Sequence, residues 1–191
     1  MEQEEAVALI GAAVGDVGGT WADLGAGTGT FTRAIASLIG ASGVVYAVDQ
    51  DAHALRTLNR APQDAANAAI RTVVGDFTEA VELPPLDGVV LANTLHFVPY
   101  ADQARVLRQV ALYLTERAPI IVVEYERRVA NPYVPFPIGF DALVRLAREC
   151  ELGTPQLLAT RPSRYRGSIY SAVVSGSGAG VIPSTGHPAG R

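Results

Sequence analysis

Lysine is absent from this chain of 191 residues, so all of its 15 basic residues are arginine. Chemistry that needs a lysine amine, a Schiff base included, is excluded. Cysteine is nearly absent too. Cys150 alone rules out an internal disulfide and suits a reducing compartment. No uninterrupted apolar run reaches the ~18 residues of a membrane span. The opening Met1-Glu2-Gln3-Glu4-Glu5 lacks the basic start of a secretory signal, so the expected location is cytoplasmic. Positive charge is in short supply: the formal net charge is −4, without the basic footprint that phosphate binding usually leaves. Nucleic acid is therefore disfavoured as a partner. No metal-ligand set is read.

Apolar residues make up 49% and charged residues 18%, a balance expected of a folded globule rather than a disordered chain. The length fits one domain with a sizeable core and leaves no room for a second. That domain is expected over 1–174, with an N-terminal helix and turn in 1–19. Residues 175–191 carry five glycines and two prolines and read as a flexible tail.

The densest information lies in Trp21-Ala22-Asp23-Leu24-Gly25-Ala26-Gly27-Thr28-Gly29-Thr30. A short apolar run ends on an acid, turns through three alternating glycines and opens a helix over Phe31–Ile39. Glycines here let the backbone turn sharply and approach a ligand without Cβ interference. The helix start then offers unpaired N–H groups to whatever lies there. A dinucleotide fingerprint reads G-x-G-x-x-G; in this chain the sixth position is Thr30. Asp23, two residues before Gly25, would add like charge beside a pyrophosphate. It suits a ligand carrying positive charge, such as an amino group or a sulfonium. A nicotinamide-dependent dehydrogenase is disfavoured on both counts.

Three further landmarks follow in order. Val44–Val48 reads as a buried strand that ends on Asp49, 24 residues after Gly25, where a carboxylate can take a ribose diol. Gln50 stands next to it, placed to border a base. Ile70–Val74 gives a third strand ending in Gly75-Asp76-Phe77. Leu86–Asn93 gives a fourth, followed by Thr94-Leu95-His96-Phe97.

With these residues the chain resembles the class I (Rossmann-like) S-adenosylmethionine-dependent methyltransferases. Their first motif is Asp/Glu-x-Gly-x-Gly-x-Gly, and Asp23 to Gly29 matches every fixed position. The resemblance covers roughly Thr20 to Val174. It implies an S-adenosylmethionine site on Asp23, Gly25, Ala26, Gly27, Gly29, Thr30, Asp49 and Gln50. It further implies Asp76 on the adenine amine, Phe77 beside the ring and Asn93 at the methyl end. An Asn-x-Leu-His stretch after the fourth strand is similar to that of members acting on small molecules. Two relatives are argued down. The Asn/Asp-Pro-Pro-Tyr/Phe motif of adenine or glutamine amino-group methylation is replaced by Asn93-Thr94-Leu95-His96. Polyamine synthases place acids where Asn93 stands.

His96 has a ring suited to general-base work and is the one candidate catalytic residue, with the wall of a pocket as its other reading. The arginines Arg161, Arg164 and Arg166 sit in the loop of a closing hairpin, where Arg164 could take a carboxylate or phosphate of the acceptor. Tyr133, in the loop Asn131–Pro137, could line the acceptor pocket. The expected function is methyl transfer to an oxygen, nitrogen or carbon nucleophile of a small molecule. A protein or RNA acceptor, a non-catalytic cofactor-binding partner subunit and a homodimer stay open.

The expected fold is α/β, a doubly wound and mostly parallel seven-stranded sheet with helices on both faces and a C-terminal antiparallel hairpin. Helices are expected over Gln3–Val14, Phe31–Ile39, Asp51–Arg60, Ala101–Leu114 and Phe140–Cys150. Strands are expected at Thr20–Leu24 and Ile120–Tyr125, and the hairpin at Gln156–Thr160 and Ile169–Val174. Two strands joined by a short loop must run antiparallel.

Overall fold

Strand and helix alternate through most of the chain. The computed structural model describes residues 1–15, 18–163 and 167–175. Its elements are α1 (Gln3–Ile10), β1 (Thr20–Leu24), α2 (Thr30–Ile39), β2 (Val44–Asp49), α3 (Ala52–Arg60), β3 (Ala69–Val74) and β4 (Gly88–Ala92). There follow α4 (Tyr100–Ala111), β5 (Pro119–Glu126), α5 (Phe140–Glu149), β6 (Gln156–Pro162) and β7 (Ser168–Ser175). A single turn of 3-10 helix, Leu95–Phe97, lies between β4 and α4.

The seven strands form one sheet in the order β3-β2-β1-β4-β5-β7-β6. Every pair from β3 through to β5 is parallel, and β7 runs antiparallel to both β5 and β6. The expected mostly parallel sheet and its antiparallel ending are both present. Strand six accordingly runs with the parallel set, so the end of β6 and the start of β7 lie at the same carboxyl edge as the ends of β1, β2 and β4.

Successive side chains of a strand point to opposite faces, and this sorts the apolar residues into separate cores. Val89, Leu91, Ile120 and Val122 pack with Leu107 and Val110 of α4 and Leu143 and Ala147 of α5. Val90, Ile121 and Val123 pack on the other face with Leu9 and Ile10 of α1 and Ile35 and Ile39 of α2. Ala47 meets Leu55 and Leu58 of α3. Strands buried on both faces read as continuous apolar runs, as these do.

Element ends depart from expectation for local reasons. The first helix stops at Ile10, whose carbonyl accepts from both Ala13 and Val14 in a tightened turn. The fourth stops at Ala111, and Leu112, Tyr113 and Leu114 continue through bonds reaching back only three residues. Asp51 is the cap of α3 rather than its first residue, its carboxylate accepting from the His53 and Ala54 amides. Of the expected tail, Ser175 ends β7, and residues 176–191 lie outside the described residues. No helix among the described residues is long and apolar enough to cross a membrane.

The antiparallel end is tied to the α5 side by one buried hydroxyl. Tyr170 Oη donates to the Ile138 carbonyl at 2.9 Å, and the Tyr170 side chain is 1% exposed. Tyr170→Phe leaves that carbonyl unpaired and is expected to cost about 1–3 kcal/mol of stability. A urea titration followed by the emission of the single buried Trp21 checks this; an unchanged midpoint contradicts it.

Candidate active site

The sheet order reverses at β1, which lies between β2 and β4, and a crevice opens at such a point outside the carboxyl ends of the strands. The glycine turn between β1 and α2 forms its floor. Gly25 has φ 80° and a Cβ there would stand 2.1 Å from Thr94 Oγ1, so conformation and close approach both require glycine. Gly27 differs: φ is 53°, but a Cβ would meet nothing within 4 Å. The space above Gly27 is open.

The turn is stitched to β2. The Val48 carbonyl accepts from Gly25 and Ala26 at 2.8 and 3.0 Å, and the Gly29 amide bonds back to Ala26 at 2.9 Å. Asp49 completes the seam, with Oδ2 accepting from the Gly27 amide at 2.7 Å and Oδ1 from the Asp51 amide at 2.8 Å. The amides of residues 25, 26, 27 and 29 are thus engaged within the protein. These bonds belong to the turn that precedes α2 (Thr30–Ile39).

Beside this seam lies a cleft of about 470 Å³. Gly25, Asp49, Gln50, Asp76, Phe77 and Asn93 line it, so six of the expected cofactor residues are brought together. Asp76 Oδ1 accepts from both the amide and the hydroxyl of Thr78, which fixes its carboxylate at the rim. The residues that sequence reasoning missed come from the turn after β4 and the start of α4: Thr94, Phe97, Val98, Pro99, Asp102 and Arg105 also line the cleft. Pro99 at the start of a helix was the readable signal for that turn.

Ala26, Gly27, Gly29, Thr30 and Asp23 support the floor and are not among its lining residues. Asp23 is 1% exposed, and its Oδ2 accepts from Thr32 Oγ1 at 2.6 Å, tying β1 to the first turn of α2. Burial pushes its carboxyl pKa up to about 6; hydrogen bonds from Thr32 oppose the rise and the neighbouring Asp49 charge adds to it.

Asn93 stands at the carboxyl end of β4 with φ 54°, in the left-handed region, its amide N–H bonded to the Val123 carbonyl at 2.8 Å. Its Oδ1 is buried without a hydrogen-bond partner. An orphaned buried acceptor costs free energy, so this atom is placed for something other than stability. Asn93 also lines a second, smaller cleft of about 220 Å³ with Tyr125, Arg161 and Ile169.

His96 lines neither cleft. It is 2% exposed, and Glu124 holds it twice: Oε2 lies 2.6 Å from Nδ1 and Oε1 accepts its amide at 3.1 Å. Neither expected reading, base or pocket wall, matches that placement. Glu124, fully buried, was missed in the sequence; an acid inside the expected strand Ile120–Tyr125 was its signal, because a buried acid needs a partner. Tyr133 also lines neither cleft and is 82% exposed. Asn131 Oδ1 accepts from the amides of Tyr133 and Val134, a turn that sends Val134 inward and Tyr133 out. Arg164 lies outside the described residues.

A family model described as a methyltransferase domain matches residues 22–117. No curated protein matches the chain. Among solved structures it is similar to a SAM-dependent methyltransferase from Methanosarcina mazei, at 15% identity over 83% of this chain and 92% of that one, with a TM-score of 0.62. It is similar to the 1,6-didemethyltoxoflavin-N1-methyltransferase of Burkholderia thailandensis at 19% identity, 91% and 76% coverage and a TM-score of 0.70; that structure holds 1,6-didemethyltoxoflavin and S-adenosylhomocysteine. The magnesium protoporphyrin IX methyltransferase of Synechocystis, with bound SAM, is similar at 15% identity, 90% and 77% coverage and a TM-score of 0.62. At such identities the likeness is one of fold.

Asp23 gives the site a pH signature. Its folded pKa of about 6 lies above the 3.8 of an unperturbed carboxyl, so the folded chain holds this proton more tightly than the unfolded one. The stabilisation is complete below the unfolded value and is lost as pH rises through the folded value, a difference of about 3 kcal/mol for this group. Asp23→Asn keeps a partner for Thr32 and is expected to flatten the fall in stability between about pH 4 and 7. Urea midpoints across that range check it; parallel curves for the two proteins contradict it.

Proposed function

Because the chain belongs to the methyltransferase-domain family, as a class I, Rossmann-like S-adenosylmethionine-dependent methyltransferase, we propose that it methylates a small-molecule acceptor on oxygen, nitrogen or carbon. The observation that carries this reading is a large cleft walled by the expected cofactor residues that shares Asn93 with a second, small cleft. The small cleft, of about 220 Å³, has the scale of a small molecule rather than of a folded partner. The cytoplasm, which the single cysteine suits, is the proposed location.

The large cleft fits the cofactor in chemistry. The Gly25, Ala26 and Gly27 amides of its floor are engaged by Val48 and Asp49, and its walls carry the carboxylates of Asp49, Asp76 and Asp102 beside Arg105. Acceptor oxygens suit a ligand with hydroxyls, an amine and a positive charge. When bound, S-adenosylmethionine supplies a methyl carbon made electrophilic by a cationic sulfur. Asp49 would accept from the ribose hydroxyls and Asp76 from the adenine amine, with Gln50 and Phe77 bordering the ring. Asn93 would stand at the methyl end. Gly25 and Gly29 hold the turn, and Ala26 and Thr30 continue it into α2. Asp23 adds negative charge from beneath.

The residues work mainly by alignment. Holding nucleophile and electrophile in line can supply about 7–11 kcal/mol of the barrier. His96 is assigned a positioning role. Glu124 grips both its ring and its amide, and so fixes the turn that follows Asn93.

Gly27→Asn tests the cofactor assignment, since asparagine tolerates positive φ and its side chain would enter the open space above the turn. In isothermal titration the wild-type chain is expected to take one S-adenosylhomocysteine, with affinity at least about tenfold weaker in the variant, a loss of 1.4 kcal/mol or more. Transfer of a labelled methyl group to an extract of small metabolites is the accompanying activity readout. Absence of heat at millimolar ligand, or equal affinity in both proteins, overturns the assignment.

A further inference from the structure

Resting on the methyltransferase reading above, we propose that the small cleft beyond Asn93 holds the methyl acceptor, and that Arg161 binds a carboxylate of that acceptor. The cleft lies between the start of α1, the end of β5 and the β6–β7 end of the sheet, with Met1, Glu5, Tyr125, Pro162 and Ile169 in its walls. Apolar and aromatic surface lines most of it. Its volume of about 220 Å³ equals that of roughly seven waters, which admits a single ring or a short chain.

One charged pair is set into this wall. Arg161 Nη2 donates to Glu5 Oε1 at 2.5 Å, joining β6 to α1 across 156 residues of sequence. Both side chains are about three-quarters withdrawn from solvent, at 24% and 28% exposure. The two partners differ in spare capacity. Glu5 Oε2 already accepts from the Glu2 amide at 2.8 Å in the capping box of α1, so both oxygens of this carboxylate are in use. Arg161 has five N–H donors in a planar fork and gives one to Glu5. The spare hydrogen-bonding capacity of this pair is therefore that of a cation. A planar carboxylate matches the rest of the fork, two bonds at a time, and competes with Glu5 for it.

Asn93 lines the same cleft and the large one as well. An acceptor with its carboxylate on Arg161 can lie against Asn93 and face the large cleft. The nucleophile's new bond to the methyl carbon then forms as the carbon–sulfur bond breaks, the electron pair remains on sulfur, and the nucleophile's proton passes to water. In this arrangement Arg161 sets specificity for a carboxylate-bearing small molecule.

The test uses the full chain saturated with S-adenosylhomocysteine, titrated with para-hydroxybenzoate and, separately, with the uncharged para-hydroxybenzyl alcohol. Binding is read by saturation-transfer NMR and calorimetry. The carboxylate is expected to bind about tenfold tighter than the alcohol, the size of one charge-assisted contact. Arg161→Gln is expected to bring the two probes to the same affinity. Glu5→Gln keeps the capping geometry and removes the competitor, so it is expected to tighten the carboxylate severalfold without moving the alcohol. S-adenosylhomocysteine affinity serves as the control for folding in each variant. Equal binding of the two probes, a preference that survives in Arg161→Gln, or no binding of the carboxylate at millimolar concentration overturns the proposal. Failure of the wild-type chain to bind S-adenosylhomocysteine instead overturns the cofactor assignment on which it rests.

Discussion

The seam between the glycine turn and β2 is the constraint on which the site depends. Val48 offers one carbonyl to two successive amides, and Asp49 uses both carboxylate oxygens to hold the amides of Gly27 and Asp51. The two bonds to the Asp49 carboxylate are charge-assisted and contribute about 1.5–3 kcal/mol each, enough to fix a turn that three glycines would otherwise leave loose. The seam also decides what the cleft can hold. A glycine turn whose amides point outward binds phosphate. Here the Gly25, Ala26 and Gly27 amides are bound by Val48 and Asp49 of β2, and the cleft is lined by the carboxylates of Asp49, Asp76 and Asp102 together with Arg105. The same residues, Asp49 and Gly25, stabilise the floor and line the cleft.

Two buried acids sit beneath this surface and act differently. Asp23 ties β1 to α2 through Thr32 and carries a carboxyl pushed up to about 6 by burial, so at neutral pH it is a desolvated negative charge under the cleft. Burying such a charge costs stability that a purely structural residue would not need to sacrifice, and it favours a positively charged ligand above it. Glu124 is answered locally by His96, a pair whose loss of one member would leave the other uncompensated in the core. That pair holds the turn after β4 against β5. Asn93 thereby keeps its left-handed backbone and its orphaned oxygen at the junction of the two clefts.

Periodicity made most of the fold legible. Apolar runs such as Val89–Leu91 and Ile120–Val123 read as doubly buried strands, and alternation with helical segments implied parallel pairing before any strand order was known. The glycine spacing and the acids at strand ends placed Gly25, Asp49, Asp76 and Asn93 at one edge, and all four line the large cleft. What periodicity cannot convey is which distant partner a polar side chain meets. His96 with Glu124 and Arg161 with Glu5 are such pairs, 28 and 156 residues apart. Nor does a motif reveal which way an acid faces: Asp23 matched its position and yet turns inward to Thr32. Tyr133 misled because a loop aromatic near the site was read without its neighbour Asn131, whose side chain sets the direction of the turn.

A crystal structure of the chain grown with S-adenosylhomocysteine tests the central claim most directly. The account requires the ligand in the cleft of about 470 Å³, its ribose hydroxyls on Asp49, its base beside Asp76 and Phe77, and its sulfur facing Asn93. A ligand seated elsewhere, or one whose binding pulls the Asp49 carboxylate away from the Gly27 amide, would contradict it.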